Sequence, residues 1–174
     1  MVNAVLKTLE ERRSIRDFSD KRVEEDKLAA IVKAGTYAPT GMGKQSPKII
    51  VIDSPEVREK IRRMNASIMG SPDRDPFYGA PTIILVIANA DILTCIEDGS
   101  LVIGNMLNAA YSLGVDSIWI HRAREEMESE EGKAFLASLG ITGNYIGIGH
   151  VALGYRKCEY PTPRERKSDY VYIV

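Results

Sequence analysis

The chain has 174 residues, of which 44% are hydrophobic and 27% charged, values that are ordinary for a globular protein and predict one domain over residues 1–174. With 23 Lys and Arg against 24 Asp and Glu, its formal net charge is -1. This balance argues against nucleic acid as a partner, because bulk nucleic-acid binding needs a basic excess. No apolar run approaches the ~20 residues that span a bilayer, so no membrane partner is predicted.

The cysteines and the N-terminus indicate a cytoplasmic protein. Cys95 and Cys158 lie far apart in the sequence and form neither a disulfide framework nor a metal-binding spacing. Free thiols suit a reducing compartment. Residues 1–10 lack the charged-then-apolar pattern of a secretion signal. We therefore expect a cytoplasmic location and no metal site.

Two helices are predicted before the first strand. Apolar side chains between Val2 and Leu9 repeat at helical spacing, which predicts an amphipathic first helix. A second helix is expected to begin near Val23, with acidic residues in its first turn, where they suit the helix dipole. It is expected to end before residues 38–43, because a proline and two glycines in that stretch are unfavourable in a helix.

The rest of the chain alternates between predicted strands and helices. Runs of β-branched residues predict buried strands, and apolar side chains at helical spacing predict the helices between them. Ser54 and Pro55 form a helix start, and Gly114 is expected to follow the end of a central helix that is apolar nearly all round. The predicted strands are 48–52, 82–88, 117–120, 145–153 and 170–174, and the helices begin at Pro55 or span 91–113 and 125–139.

This order of elements predicts an α/β or α+β fold in which helices cover a mainly buried sheet. The last strand, residues 170–174, follows a long polar loop over residues 156–169. It is expected either to join the sheet of its own chain or to reach over to a partner chain, and the sequence leaves both arrangements open.

The most distinctive stretch is residues 12–18, in which three arginines and a serine follow the first helix. Arginine offers a planar fork of donors that suits phosphate oxygens, and serine adds a neutral donor. The stretch therefore indicates an anion pocket, although a solvated basic surface would explain the same residues. A second basic cluster, residues 164–167, lies in the late loop and could meet the first cluster at one phosphate.

Two other features are weighed against structural explanations. Residues 147–152 fit the dinucleotide pattern G-x-G-x-x-A, but a strand continues where that pattern requires a helix, so we reject it. Its glycines are expected to let another element pack closely on the sheet. His150, inside this apolar strand, is expected to be a hydrogen-bonded core histidine. His121, at a strand end, suits a ligand contact and a hydrogen bond to a neighbouring loop equally well.

Five segments carry a resemblance to a known family. They are the arginine motif at residues 12–18, the loop at 38–45, the Ala-Pro turn at 78–81, the central helix over 98–114, and the late motif at 153–155 followed by 166–167. Together they resemble the FMN-dependent nitroreductase family, in which the same five segments occur in this order, and the similarity covers nearly the whole chain.

The resemblance implies a nitroreductase-like fold with a mixed, mainly antiparallel five-stranded sheet flanked by helices. It also implies an intertwined homodimer with two FMN sites at the interface. One group of residues would hold the ribityl chain and phosphate, a second would face the flavin ring, and a third would come from the other subunit. The first group is Arg12, Arg13, Ser14 and Arg16 with Arg166 and Lys167 or Arg164; the second is Asn65 at the pyrimidine edge and the backbone around His121 and Arg122 at N5; the third is Pro39, Thr40, Gly41 and Gln45.

The implied activity is that of a ping-pong oxidoreductase. NAD(P)H would pass hydride to flavin N5 and leave, and a nitroaromatic or quinone acceptor would take its place. No side chain is required as an acid or base, so no catalytic residue is predicted. Gly43 stands where the family has Asn, and Ser46-Pro47 stands where it has Pro-Trp. These differences leave a non-catalytic flavin-binding protein open as an alternative. A specialised flavin enzyme, for reductive dehalogenation or flavin breakdown, also stays open, because the family that the chain resembles hosts such reactions as well.

Overall fold

Four strands form one sheet in the computed structural model, which describes residues 3–174. The expected α+β class is confirmed, and each pair of neighbouring strands is antiparallel. Long apolar runs explain why the central strands are buried on both faces. The strands are β1 (Pro47–Ile52), β2 (Thr82–Asn89), β3 (Asp116–Ile120) and β4 (Tyr145–Gly154), in the spatial order β1-β2-β4-β3.

The described residues form six α-helices, and side-chain caps define several of their starts. The Asn3 side chain accepts the Leu6 N–H at the first helix, and the Ser54 side chain accepts the Val57 N–H before the third. Gly114, at φ +71°, follows the end of the central helix as predicted. The helices are α1 (Ala4–Glu11), α2 (Glu25–Thr36), α3 (Pro55–Ile68), α4 (Cys95–Ser112), α5 (Ala123–Glu128) and α6 (Glu130–Ser138).

The predicted helix over residues 125–139 is two helices, so that prediction was wrong. Ser129 interrupts it with an extended backbone (φ -70°, ψ 158°). Its hydroxyl donates to the Glu126 carbonyl (2.6 Å) and accepts the Gly132 N–H (3.0 Å). Serine competes for backbone groups in this way, which is why it ends one helix and caps the next.

The sheet separates two apolar layers. Side chains alternate along β2, so that Ile83 and Leu85 face α3, α5 and α6, whereas Ile84 and Val86 face α2 and α4. All four are fully buried. The two sides of the sheet are therefore both covered, as the continuous apolar strands predicted.

The rejection of a dinucleotide motif in β4 is confirmed, and the glycines of this strand allow close packing as predicted. The strand runs without interruption through Gly154. A Cβ added at Gly147 would collide with the backbone carbonyl of Ala123, at the start of α5. One added at Gly149 would collide with the indole of Trp119 on β3. These positions need glycine because another element lies against the strand.

The predicted fifth strand does not form, so the expectation of five strands was wrong for the single chain. Residues 171–174 have no regular structure and their side chains are exposed. A strand needs a neighbouring edge for its backbone hydrogen bonds, and within residues 3–174 no strand pairs with this segment. Helix α1 is likewise uncovered, since Val5 is 68% and Leu9 is 54% exposed. No helix within the described residues is long and apolar enough to cross a membrane.

Candidate functional site

The two basic clusters converge on one cavity of about 240 Å³, which we call the basic cavity. The first cluster enters from the end of α1, and the second enters from the late loop. Lys167 is not among the lining residues, so of the three late cations the structure brings Arg164 and Arg166 to the cavity. The lining residues are Arg12, Arg13, Ser14, Arg16, Pro161, Thr162, Arg164 and Arg166.

The apolar residues within the first cluster fix its position against the sheet. Ile15 and Phe18 are buried in the core. The Ile15 N–H donates to the Ser117 carbonyl (3.2 Å), and Ser14 forms a parallel bridge with Ser117 on β3. The alternation of apolar and polar residues therefore holds the backbone against an edge strand while the arginines line the cavity.

Arg12 is the most incompletely satisfied cation of the basic cavity. Its Nη1 is buried and has no hydrogen-bond partner. Burial lowers the pKa of the guanidinium from its usual value, Tyr160 opposes that shift, and the Arg13 charge adds to it. Within residues 3–174, no carboxylate lies within 4.0 Å of an arginine of this cavity. Arg12 as a whole is half-buried, and an anion would supply the partner that its buried Nη1 lacks, so the site fits a phosphate-bearing ligand.

Arg13 and Arg16 differ from Arg12 in their surroundings. The Nη1 of Arg13 donates to the carbonyls of Glu10 (2.7 Å) and Arg12 (2.8 Å), so part of its guanidinium caps the C-terminus of α1. Its Nε is buried without a partner. Arg16 is exposed. The three arginines, which the sequence analysis placed in one group, therefore have different surroundings in the structure.

Tyr160, which sequence reasoning missed, joins the two halves of the basic cavity. Its hydroxyl accepts the Arg13 N–H (2.9 Å) and donates to the Glu11 carbonyl (2.9 Å). The Arg156 guanidinium lies 4.9 Å from its ring centre, which suits a cation–π contact. Because Tyr160 directly precedes Pro161, it ties the late loop to the end of α1. One tyrosine in a polar loop gives no sequence signal for such a role.

A second cluster surrounds the turn at residues 121–122, between β3 and α5. Asn65 of α3 is fully buried, and its amide nitrogen donates to the His121 carbonyl (2.9 Å) and to the Glu126 carboxylate. Its amide oxygen accepts from Arg122 Nε (2.9 Å). The family resemblance implies that Asn65 lies at the flavin's pyrimidine edge; within the chain, both of its amide hydrogens bond to protein acceptors. The amide therefore holds the turn.

Glu126 and His150 complete this cluster. Both are fully buried, and His150 Nε2 lies 3.0 and 3.1 Å from the two carboxylate oxygens of Glu126. The expectation of a hydrogen-bonded core histidine is confirmed. Glu126 was missed, because it is one of several acidic residues between 125 and 131 and only the fold shows which of them points inward.

The third predicted group, residues 39–45, lies elsewhere in the chain. The Gly41 N–H donates to Asp98 Oδ1 (2.8 Å) in the first turn of α4. Thr40 and Gln45 line a different cavity of about 310 Å³. The basic cavity is near the other end of α4, where Tyr111 donates to the Glu11 carboxylate (2.8 Å). Asp98 and Tyr111 are 13 residues apart on α4, about 20 Å along the helix axis, so one chain does not bring these two groups together.

Three of the residues around this loop adopt backbone conformations that side chains rarely take. Met42 (φ 52°) and Gln45 (φ 49°) have positive φ, and Gly43 (φ 66°) lies between them. Such strain clusters at functional sites. Gly43 stands where the family has Asn. It is the only glycine among these three residues, and glycine adopts a positive φ without strain. No group of three or more His, Cys, Asp or Glu in the described part of the chain is arranged to hold a metal ion.

The antiparallel α+β fold places the basic cavity, a candidate anion site, beside the edge strand β3. The chain belongs to the Nitroreductase family, whose sequence profile matches residues 9–155. It is 30% identical over 159 residues to a protein of Archaeoglobus fulgidus that bears a provisional NADH dehydrogenase/NAD(P)H nitroreductase name. That alignment covers 88% of this chain and 86% of the relative.

Solved structures agree with the family assignment. A nitroreductase with bound FMN from Bacteroides fragilis superposes with a TM-score of 0.88 at 32% identity, covering 99% of this chain and all of the other. A second nitroreductase with bound FMN, from Desulfitobacterium hafniense, gives 0.88 at 27% identity with complete coverage of both chains. The fold and the predicted family are thereby confirmed together.

Proposed function

We propose that this protein is an FMN-dependent NAD(P)H oxidoreductase of the nitroreductase type. The observation that carries the proposal is the buried, unpartnered Nη1 of Arg12 in a cavity lined by arginines from both ends of the chain. A phosphate monoester would supply the missing anion, and arginine suits phosphate oxygens in geometry as well as charge. The FMN-bound relatives in the same family support this choice of ligand.

The residues of the basic cavity would hold the phosphate and ribityl chain. Arg12 and Arg166 would contact the phosphate, with Arg164 and Ser14 as further donors. Arg13 would contribute through its unpartnered Nε. The turn at residues 121–122 would lie against the flavin ring. Because Lys167 does not line the cavity, we favour Arg164 over Lys167 as the partner of Arg166.

When bound, FMN supplies the redox chemistry: hydride from NAD(P)H in one half-reaction and its transfer to a nitroaromatic or quinone in the other. The chain's own contribution is position and charge. Its arginines neutralise the phosphate, and the 121–122 turn presents backbone groups at the ring. No side chain has to move a proton in this scheme, so no acid or base is assigned.

A complete site requires a second copy of the chain. Residues 39–45 lie about 20 Å from the end of the first basic cluster along α4, so in this proposal the partner subunit's copy of this loop covers the flavin. The exposed apolar side chains of α1 and the tail residues 170–174 would be buried in the homodimer. The free edge of β1, which has only β2 as a neighbour in the described chain, offers the tail a place to pair.

The test is the visible spectrum of the purified protein supplied with FMN. We expect bound oxidised flavin whose absorption bleaches on addition of NADH or NADPH and recovers when a nitroaromatic or quinone is added. Failure to bind FMN would overturn the proposal. Bound FMN that neither nucleotide reduces would favour a non-catalytic flavin-binding protein, and turnover of a halotyrosine or of free flavin would favour the specialised enzyme.

Tyr160→Phe should weaken FMN binding by roughly 5- to 30-fold, equivalent to about 1–2 kcal/mol, because it removes two hydrogen bonds that join the halves of the basic cavity. Fluorescence titration with FMN and with riboflavin, which lacks the phosphate, measures this effect. Riboflavin affinity should change little.

Tyr145→Phe is the matched control for this substitution, since the Tyr145 hydroxyl has no hydrogen-bond partner within residues 3–174 and lines a different cavity. Equal losses for FMN and riboflavin in Tyr160→Phe would show that the tyrosine does not organise the phosphate end of the site.

A further inference from the structure

A carboxylate and an imidazole are buried together behind the turn at residues 121–122. Glu126 on α5 and His150 on β4 are both fully buried, and His150 Nε2 lies 3.0 Å from the nearer carboxylate oxygen. Asn65 donates to the same carboxylate. Four parts of the fold, namely α3, the β3–α5 turn, α5 and β4, therefore meet at one polar cluster inside an otherwise apolar layer.

Stability alone does not account for this cluster. Burying a carboxylate requires removal of its water, and a buried ion pair is often no more stabilising than apolar residues of the same volume. His150 Nδ1 is also buried without a partner, which adds a desolvation cost. We therefore look for the role of this cluster in the positions that it imposes on neighbouring residues.

The geometry that it imposes is that of the turn. Glu126 accepts one amide hydrogen of Asn65, which directs the other to the His121 carbonyl (2.9 Å) and leaves the amide oxygen for Arg122 Nε (2.9 Å). With two acceptors on one side and a donor on the other, the amide has only one orientation. Asn65 thus holds both the main chain and the side chain of the turn.

The turn needs such support because Arg122 is a non-glycine residue in the left-handed region, at φ 76°. A residue of this kind is strained, and the conformation persists only where its surroundings enforce it. Helix α5 has little room to shift and relieve the strain, because backbone packs closely against it at its first residue, Ala123, beside Gly147, and in its second half, at Glu126, beside Gly132.

We propose that Glu126 and His150 are positioning residues, which orient Asn65 and thereby fix the 121–122 turn in the conformation that faces the flavin. That the turn faces the flavin rests on the proposed function. That this cluster supports the turn does not depend on it. Neither residue touches the cofactor in this proposal. They act through Asn65, so their loss should change how the turn is held more than how tightly FMN binds.

The first experiment uses the FMN-free protein, so that it is independent of the proposed function. Hydrogen–deuterium exchange of the peptide covering residues 120–125 should be at least tenfold faster in Glu126→Ala than in wild type. Glu125→Ala is the matched control, since Glu125 is an exposed neighbour on the same helix, and it should exchange as wild type does. Unchanged exchange in a folded Glu126→Ala would overturn the proposal.

Conservative variants keep the test decisive if Glu126→Ala does not fold. Glu126→Gln retains an acceptor for Asn65 and can donate to the other tautomer of His150, so it should keep the slow exchange. His150→Phe keeps an aromatic ring against Phe77, whose ring lies 5.2 Å away edge-on, but removes the hydrogen bond to Glu126. It should exchange faster than Glu126→Gln, and the reverse order would overturn the proposal.

The second experiment uses the FMN-loaded protein and compares binding with reduction. In Glu126→Ala, the Kd for FMN should change less than about threefold, whereas kcat for NAD(P)H oxidation should fall about tenfold or more, because misplacing a reacting group by about 1 Å can reduce the rate 100-fold. The midpoint potential of the bound FMN should shift by about 30 mV, which for a two-electron couple corresponds to a tenfold change in the ratio of reduced to oxidised flavin.

An unchanged kcat and potential in this variant would overturn the link to the flavin. A wild-type protein that binds no FMN would instead overturn the proposed function, and the exchange result on the FMN-free protein would still decide whether the cluster holds the turn.

Discussion

Replacing Arg12 by alanine is expected to weaken FMN binding by about 1.5–3 kcal/mol, the range for a hydrogen bond to a charged group. This corresponds to a Kd roughly 10- to 150-fold higher. Arg12 should show the larger loss among the first-cluster arginines because its Nη1 is buried without a partner, whereas Arg13 already caps α1 and Arg16 is exposed. Arg16→Ala should weaken binding in the same direction.

Fluorescence titration or calorimetry with FMN measures the loss, and riboflavin identifies its source. A phosphate contact predicts that riboflavin affinity is almost the same in wild type and Arg12→Ala. Arg74→Ala is the control, because Arg74 is an exposed arginine on a loop far along the chain from either basic cluster. Unchanged FMN affinity in both Arg12→Ala and Arg16→Ala would return residues 12–18 to a solvated basic surface.

The second large effect is expected at Gly147. Gly147→Ala should lower the free energy of unfolding by about 3 kcal/mol or more, at or above the upper end of the usual range for overpacking. The added Cβ would collide with the Ala123 backbone carbonyl, which cannot rotate away as a side chain could. Either β4 or α5 would have to move, and α5 carries Glu126. Urea unfolding followed by circular dichroism measures the change.

Gly104→Ala is the matched control for this substitution. Gly104 lies inside α4, and a Cβ added there meets no atom within 4 Å. Alanine is favoured over glycine in a helix interior by about 1 kcal/mol, so the single chain should be as stable as wild type or more so. Equal stability of Gly147→Ala and wild type would show that the contact between β4 and α5 is not close.

Local sequence patterns predicted most of the fold, and the exceptions have identifiable causes. The runs that became β1 to β4 were found because β-branched residues cluster there, and Ser54 and Gly114 marked helix ends through their own backbone preferences. Residues 125–139 read as one helix because apolar spacing does not show that Ser129 bonds to backbone groups on both sides. Residues 170–174 have a strand pattern, but a strand also needs an edge to pair with.

The candidate site divides in the same way. The sequence located Arg12, Ser14 and the late basic cluster, because those residue types suit phosphate wherever they lie. It did not show that the late loop folds back on the first cluster, since Tyr160 makes that connection across 147 positions of sequence. Nor did it show that Asn65 bonds to His121 and Glu126, because an asparagine's partners are known only once its neighbours in space are known.

By itself, the sequence determined that helices cover a mainly buried sheet in an α/β or α+β fold, along with the order of most elements, the family and the two basic clusters. These depend on composition and on patterns within a few residues, where the chemistry of each side chain is sufficient. Only the tertiary structure decided that the clusters share one cavity, that residues 39–45 lie about 20 Å away from it along α4, and that Glu126 and His150 are buried behind the 121–122 turn. Those contacts join residues far apart in the chain. Burial also depends on how all the elements pack together, and it determines which polar atoms lack a hydrogen-bond partner.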